Sequence, residues 1–233
     1  MSGGFKGISG WQKNSFIDFP GTVSTVLFFE GCNLRCPYCH NPDIVLRKLP
    51  HISWNSIQSY LDRRKGIVEG VVLSGGEPTL YDFLPDLVKE LREDGFLVKI
   101  DTNGTNPEMI RKCKPDYLAL DIKTDPLRYV ELGCKDLQFG EKLKDTLDIV
   151  KSMGYASEVR ITMASPFINE TVIFRIAEML IGVKKVFLQP LKITGMLLDP
   201  SFGPQNVITS GDISAFRDII AAGVESCIVR GES

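Results

Sequence analysis

Short apolar runs, each followed by a polar loop and then by a stretch with helical periodicity, recur along the chain. Residues 23–29, 71–73, 97–100, 117–122, 158–163 and 185–188 have the lengths and flanking polar clusters of strands, with a further strand expected at 225–229. Apolar positions spaced three and four apart mark helices at 54–64, 81–94, 106–113, 140–153, 170–181 and 211–222. Ser53 stands where the first of these needs an N-cap, and 191–208 is irregular. Alternation of strand and helix about every 25 to 30 residues implies βαβ units on a parallel sheet, either doubly wound or curled into a barrel. In both, the loops leaving the C-terminal ends of the strands carry the chemistry. Those loops read GCNLRCPYCHNP, SGGEP, DTNG, DIK and QP in chain order, so polar residues gather where a site belongs.

Composition narrows the classes of function. The 233 residues carry 27 Lys and Arg against 29 Asp and Glu, a net charge of −2, and 43% are apolar. Interspersed signs leave no basic stripe for nucleic acid. No apolar run approaches the ~20 residues of a membrane-spanning helix. The start, MSGGFKGISGW, lacks the basic and apolar regions of a signal peptide, and a cytoplasmic location is therefore expected. Without repeats, low-complexity tracts or linkers, a single domain over 1–233 is the simplest organisation.

In a reducing compartment, cysteine spacing points to metal binding or catalysis before disulfides. Cys32, Cys36 and Cys39 fall on one short loop, whereas Cys113, Cys134 and Cys227 are scattered and fit helix-end or core positions. Structural zinc needs four ligands, and no second Cys-x-x-Cys pair exists; His40 follows Cys39 directly and would reach the same ion with difficulty. Three unrelated core thiols fit poorly with a segment rich in Gly, Pro and Asn. A four-iron cluster on three thiolates leaves one iron without a protein ligand, a place to bind substrate.

Cys-x-x-x-Cys-x-x-Cys, with Tyr38 before the last Cys, resembles the signature of the radical S-adenosylmethionine (SAM) family. The flanking Asp18-Phe19-Pro20-Gly21, Gly31-Cys32-Asn33 and Cys39-His40-Asn41-Pro42 are similar to the glycyl-radical-enzyme activases. Residues 15–21 resemble most the activating proteins of anaerobic ribonucleoside-triphosphate reductase, and pyruvate formate-lyase activase somewhat less. The resemblance implies that Cys32, Cys36 and Cys39 hold a 4Fe-4S cluster and that the loop Gly75-Gly76-Glu77 takes the methionine ammonium of SAM. It implies further that Lys123 pairs with the methionine carboxylate, that Tyr38 meets the adenine, and that Arg160, at the end of its strand, and Gln189, after the next, face ribose and adenine. Asp101-Thr102-Asn103 and Asp121 match the next site loops. Asp101, Thr102 and Asp121, with the Ala119 carbonyl, would hold a monovalent cation. Arg160-Ile161-Thr162-Met163 departs from the Arg-Thr-Thr-Val run of close relatives, and Lys192 stands where pyruvate formate-lyase activase has His.

By the same resemblance, the cluster donates one electron to SAM, releasing methionine and a 5′-deoxyadenosyl radical that abstracts hydrogen from a glycine of a partner protein. The side chains bind and orient, and no catalytic acid, base or nucleophile is required. The length allows about six βα units, fewer than the eight of a closed ~250-residue barrel, so an incomplete parallel β/α barrel with a lateral opening is expected, bordered by 191–208 or with that segment as a plain connection. No cysteine-rich insertion lies between His40 and Lys112, so an external flavodoxin or ferredoxin is the expected reductant. The rivals are activation of another glycyl radical enzyme, a radical SAM reaction on a small molecule, and a non-catalytic iron–sulfur or zinc module.

Overall fold

The structure, a computed structural model, describes residues 4–231, so the first three residues of the stretch read for a leader lie outside it. Its strands are β1 (Ile8–Ser15), β2 (Ser24–Phe29), β3 (Gly70–Gly75), β4 (Leu97–Thr102), β5 (Tyr117–Ile122), β6 (Ser157–Met163), β7 (Lys185–Pro190) and β8 (Ser226–Val229). Its α-helices are α1 (Pro42–Val45), α2 (Trp54–Arg64), α3 (Leu84–Glu93), α4 (Pro107–Cys113), α5 (Phe139–Met153), α6 (Glu170–Leu180) and α7 (Ser210–Ala221). Strand order follows chain order from β1 to β8. Each of β2 to β7 is followed by a helix, which makes the six expected βα units. No helix among the described residues is long and apolar enough to cross a membrane.

The chain divides into two compact units, 1–32 with 43–102 and 108–118, and 33–42 with 103–107 and 119–233. In the first, β2, β3 and β4 run parallel, with Val26 beside Val72 and Leu73 beside Ile100. They are nearly continuous apolar runs, as strands covered on both faces must be. Phe19, Val26, Val72 and Tyr117 form a buried cluster with Phe28 against it. In the second, β6, β7 and β8 run parallel, and α5, α6 and α7 bury Leu143 and Leu147, Ile173 and Ile176, and Ile213 and Ile220.

Three local features depart from the sequence expectation. β1 was not anticipated: Ile8–Ser15 pairs antiparallel with β2 through a register broken twice, and its polar Gln12, Lys13 and Asn14 give no strand alternation. It is held by its ladder and by Trp11, whose indole N–H donates to Thr25 Oγ1 at 2.8 Å and whose ring meets Tyr60 edge-on. Ser53 occupies the N-cap position of α2, but its hydroxyl makes no capping bond. α3 begins three residues later than expected, because Pro85 sits in its first turn and a 3₁₀ turn over Pro78–Leu80 comes before it.

Of the scattered cysteines, Cys113 closes α4 and is buried, Cys134 is buried after a 3₁₀ turn, and Cys227 is half-buried on β8.

Three charged side chains, those of Glu30, Glu77 and Lys99, are buried in the first unit. Lys99, in the middle of β4, is 1% exposed; its ammonium donates to the Asp18 carbonyl at 2.6 Å and pairs with Asp101 at 2.8 Å. A Lys99→Met substitution would fill the space but strip a buried carboxylate of its counter-charge, and is expected to lower the unfolding free energy by about 3 kcal/mol. Urea denaturation checks this, and an unchanged midpoint would show that the pair carries no net stabilisation.

Candidate functional site

In the first unit, the backbone of the residues just before Cys32 is fixed from two sides. The Gly31 N–H donates to the Ile44 carbonyl at 2.8 Å, and the Gly31 carbonyl accepts the Glu77 N–H at 2.9 Å. The Gly76 N–H donates to the Phe29 carbonyl at 2.7 Å. The paired glycines of the SGGEP loop follow from this approach. A Cβ on Gly76 would stand 1.8 Å from the Gly31 oxygen, and one on Gly75, where φ is +112°, 2.5 Å from the Phe29 nitrogen. Whatever the loop does for a ligand, its glycines are first required by the chain itself.

Glu77 is fully buried, and one carboxylate oxygen accepts from the Thr79 N–H (3.1 Å), the Thr79 hydroxyl (2.6 Å) and the Thr102 hydroxyl (2.8 Å). It therefore braces its loop to the end of β4. Asp101 accepts from the Ser74 hydroxyl at 3.0 Å in addition to its pairing with Lys99. Asp101 and Thr102 close β4 and do not begin the loop.

The second unit holds the remainder of the cysteine loop. Cys36 and Cys39 sit on one turn, closed by the Cys39 N–H to the Cys36 carbonyl at 3.0 Å. Tyr38 between them is buried, packs against Phe167 and Phe202, and its hydroxyl donates to the Lys123 carbonyl at 3.4 Å. The irregular segment is tied to this turn: Leu198 N–H to the Cys39 carbonyl at 3.1 Å, Asp199 N–H to the Pro37 carbonyl at 3.0 Å, and His40 Nε2 to the Lys192 carbonyl at 2.6 Å. A carbonyl only accepts, so His40 Nε2 carries the proton of this hydrogen bond. Asn103 is engaged in the same way as Glu77. Its amide donates to Asn33 Oδ1 at 2.8 Å, and its own oxygen accepts from the Thr105 N–H and hydroxyl at 3.1 and 2.7 Å.

Asp121, near the end of β5, is paired twice, with Arg160 Nε at 2.7 Å and Lys123 Nζ at 3.1 Å. Burial alone would push its carboxyl up, but the two cations outweigh that and hold it well below the usual carboxylate range. Burial likewise opposes charge on Lys123, yet Asp121 and Cys36 beside it keep its ammonium above the ordinary value. The Cys36 thiol is pushed up to about 11, chiefly by burial, with Lys123 pulling the other way. Burial also drives the Tyr38 hydroxyl well upward. Arg160 lies in the middle of β6 and not at its end, and Gln189 is within β7 opposite Thr162 and not after the strand, where the sequence reading placed them.

Tyr129 was not anticipated. It is 1% exposed, lies against Phe139 and accepts the Lys123 N–H at 2.8 Å, but sits in a 3₁₀ turn with no motif around it. Lys99 did leave a signal, as a charge in the middle of an apolar run.

The three thiols of the loop are half-buried and free of disulfides. Among the described residues, no group of three or more His, Cys, Asp or Glu side chains is gathered as a metal site. The donor set nonetheless fits an iron–sulfur cluster: soft thiols on one polar loop, with an ammonium beside Cys36 to favour the thiolate.

The family model described as the radical SAM superfamily matches residues 26–180. A Methanocaldococcus jannaschii protein, provisionally named a glycyl-radical enzyme activating enzyme, is 36% identical over 180 residues, covering 73% of this chain and 74% of its own. The pyruvate formate-lyase-activating enzyme of Clostridium pasteurianum is 41% identical over 129 residues, 48% of this chain and 50% of that one. Among solved structures, TYW1 with a lysine-pyruvate adduct bound superposes with a TM-score of 0.60 at 17% identity, over 88% of this chain and 76% of that one. This likeness shows the fold, the open partial β/α barrel.

The paired carboxylate gives a pH signature. Because the folded pKa of Asp121 is depressed, its contribution to stability is complete above the unfolded value of about 3.9 and is lost as pH falls through the folded one. Arg160→Gln is expected to cost about 2 kcal/mol at pH 7, with the gap to wild type narrowing as pH falls below 4. Urea titrations at pH 7 and pH 3 measure it, and a gap that does not change with pH would refute the pairing.

Proposed function

The chain belongs to the radical SAM superfamily, and we propose that within it this protein is an activating enzyme that generates a glycyl radical on a partner, anaerobic ribonucleoside-triphosphate reductase. The observation that carries the activase reading is the likeness to the Methanocaldococcus protein along 73% of this chain and 74% of that one, whereas the choice of the reductase as partner rests on the resemblance of residues 15–21 alone. Family membership implies a 4Fe-4S cluster and SAM; that residues 1–233 serve as one radical SAM domain is part of the proposal. Together, when bound, they supply one-electron cleavage of a sulfonium and a carbon radical able to take hydrogen from a glycine α-carbon.

The residues of the chain bind and orient. Cys32, Cys36 and Cys39 would each hold one iron, leaving the fourth for substrate. Asp121, Lys123 and Arg160 are one carboxylate against two cations, and the surplus positive charge suits the methionine carboxylate. The N–H groups of Gly76 and Glu77 are already donated to the carbonyls of Phe29 and Gly31, so neither would be turned against an ammonium. Tyr38, Arg160 and Gln189 would face adenine and ribose. Glu77 and Asn103 would act through the loops they brace. A monovalent cation at Asp101, Thr102, Asp121 and the Ala119 carbonyl belongs to the same proposal, as does an external flavodoxin or ferredoxin as the reductant.

The match to the Clostridium enzyme favours pyruvate formate-lyase as the second choice of partner. Anaerobic reconstitution is expected to load about four irons per chain, and reduction in the presence of SAM to release 5′-deoxyadenosine. Mixing with each candidate partner should then give a glycyl signal in electron paramagnetic resonance with the reductase. A signal with formate-lyase alone would move the assignment to the second partner; product without any glycyl signal would indicate a small-molecule substrate. Tightly bound zinc and no product would overturn the enzyme reading.

A further inference from the structure

In the first unit, β4 sets a cation of the chain against a carboxylate that the proposed function assigns to a bound ion. Lys99 and Asp101 are two residues apart on the strand, so their side chains leave the same face. The Lys99 ammonium is 2.8 Å from Asp101 Oδ1, and Asp101 Oδ2 accepts the Ser74 hydroxyl at 3.0 Å. The ammonium also donates to the Asp18 carbonyl at 2.6 Å and stands 5.8 Å from the centre of the Tyr117 ring. Asp18 is fixed in turn: its N–H donates to the Ser15 hydroxyl at 3.1 Å, and its carboxylate accepts that hydroxyl at 2.5 Å. Lys99 is therefore held in place from two directions, with its charge out of water and turned on Asp101.

Stability alone gives little reason for such a pair, because buried ion pairs commonly stabilise a fold no better than apolar residues of similar volume. What the pair does accomplish is to neutralise Asp101 from within the chain. A second cation on the same carboxylate would meet the ammonium, and two unit charges at such close range repel enough to weaken an affinity by about tenfold to a hundredfold.

We propose that Lys99 sets the strength of the cation site: its ammonium supplies most of the positive charge that Asp101 calls for, so sodium or potassium is held only weakly there and adds little to the folded protein. This rests on the reading of Asp101 as a ligand of a monovalent ion.

The test compares urea midpoints of the apoprotein in sodium, potassium and choline chloride at one ionic strength. Screening is then constant, and an ion raises the midpoint only by binding the folded state. Wild type is expected to unfold at nearly the same urea concentration in all three salts. Lys99→Met, which keeps the bulk and removes the charge, is expected to unfold earlier in choline and to recover in sodium or potassium, with an apparent affinity for that ion about tenfold or more above wild type. Lys99→Gln, which can still donate to the Asp18 carbonyl, should respond in the same way. The double variant Lys99→Met/Asp101→Asn should not respond, since the carboxylate is gone; a response that persists there would place the ion elsewhere and overturn the proposal. A gain in wild type as large as in the single variants would overturn it and leave the cation reading standing. Single variants that stay unfolded in every salt would overturn it as well, because an ion would then not replace the ammonium. No gain in any folded protein would overturn the proposal and the cation reading together, whereas failure of reconstituted wild type to cleave SAM would overturn the enzyme reading and leave these midpoints as they are.

Discussion

A carboxylate removed from water must be answered by positive charge from its own chain, and Asp121 is answered twice, by Arg160 and by Lys123. Much of the second unit is arranged around that requirement. Lys123 can reach Asp121 because its backbone is held at both ends, the N–H by Tyr129 and the carbonyl by Tyr38. Held there, its ammonium also stands beside Cys36 and works against the burial that keeps that thiol protonated. One carboxylate and its two ion pairs thus connect the end of β5, the middle of β6 and the turn carrying two of the three loop cysteines. In the first unit, Lys99 does the same for Asp101.

Polar residues at strand ends are usually weighed as potential ligand contacts, and several here are committed to the protein instead. Glu77 satisfies three donors from its own unit, and Asn103 has both ends of its amide in use. A buried carboxylate or amide without partners would be costly, so such residues first complete the loops and only through them shape a site. The glycines beside Glu77 illustrate the same priority, since the space they leave is occupied by the backbone of Phe29 and Gly31.

The order of strands and helices was legible because burial imposes a local period. β2 to β7 are apolar runs between polar loops, and α2 keeps its apolar face from Trp54 to Arg64. β1 was not legible, since an antiparallel edge strand with a broken register needs hydrogen-bonding neighbours more than a pattern of its own. Nor was the displaced start of α3, where Glu77 caps a 3₁₀ turn first. The cysteine triplet and the SGGEP loop stood out because their members are adjacent in sequence.

By itself, then, the sequence determined the α/β alternation, the six βα units and the family, all properties carried by spacing along the chain. Only the tertiary structure decided what each polar residue does. Thr102 meets Glu77 across 25 residues, Arg160 meets Asp121 across 39 and Asn103 meets Asn33 across 70. Hydrogen bonds and ion pairs act over about 3 Å whatever the separation in sequence. Whether a carboxylate is free to bind a ligand or is already satisfied therefore depends on which distant segments the fold brings to it.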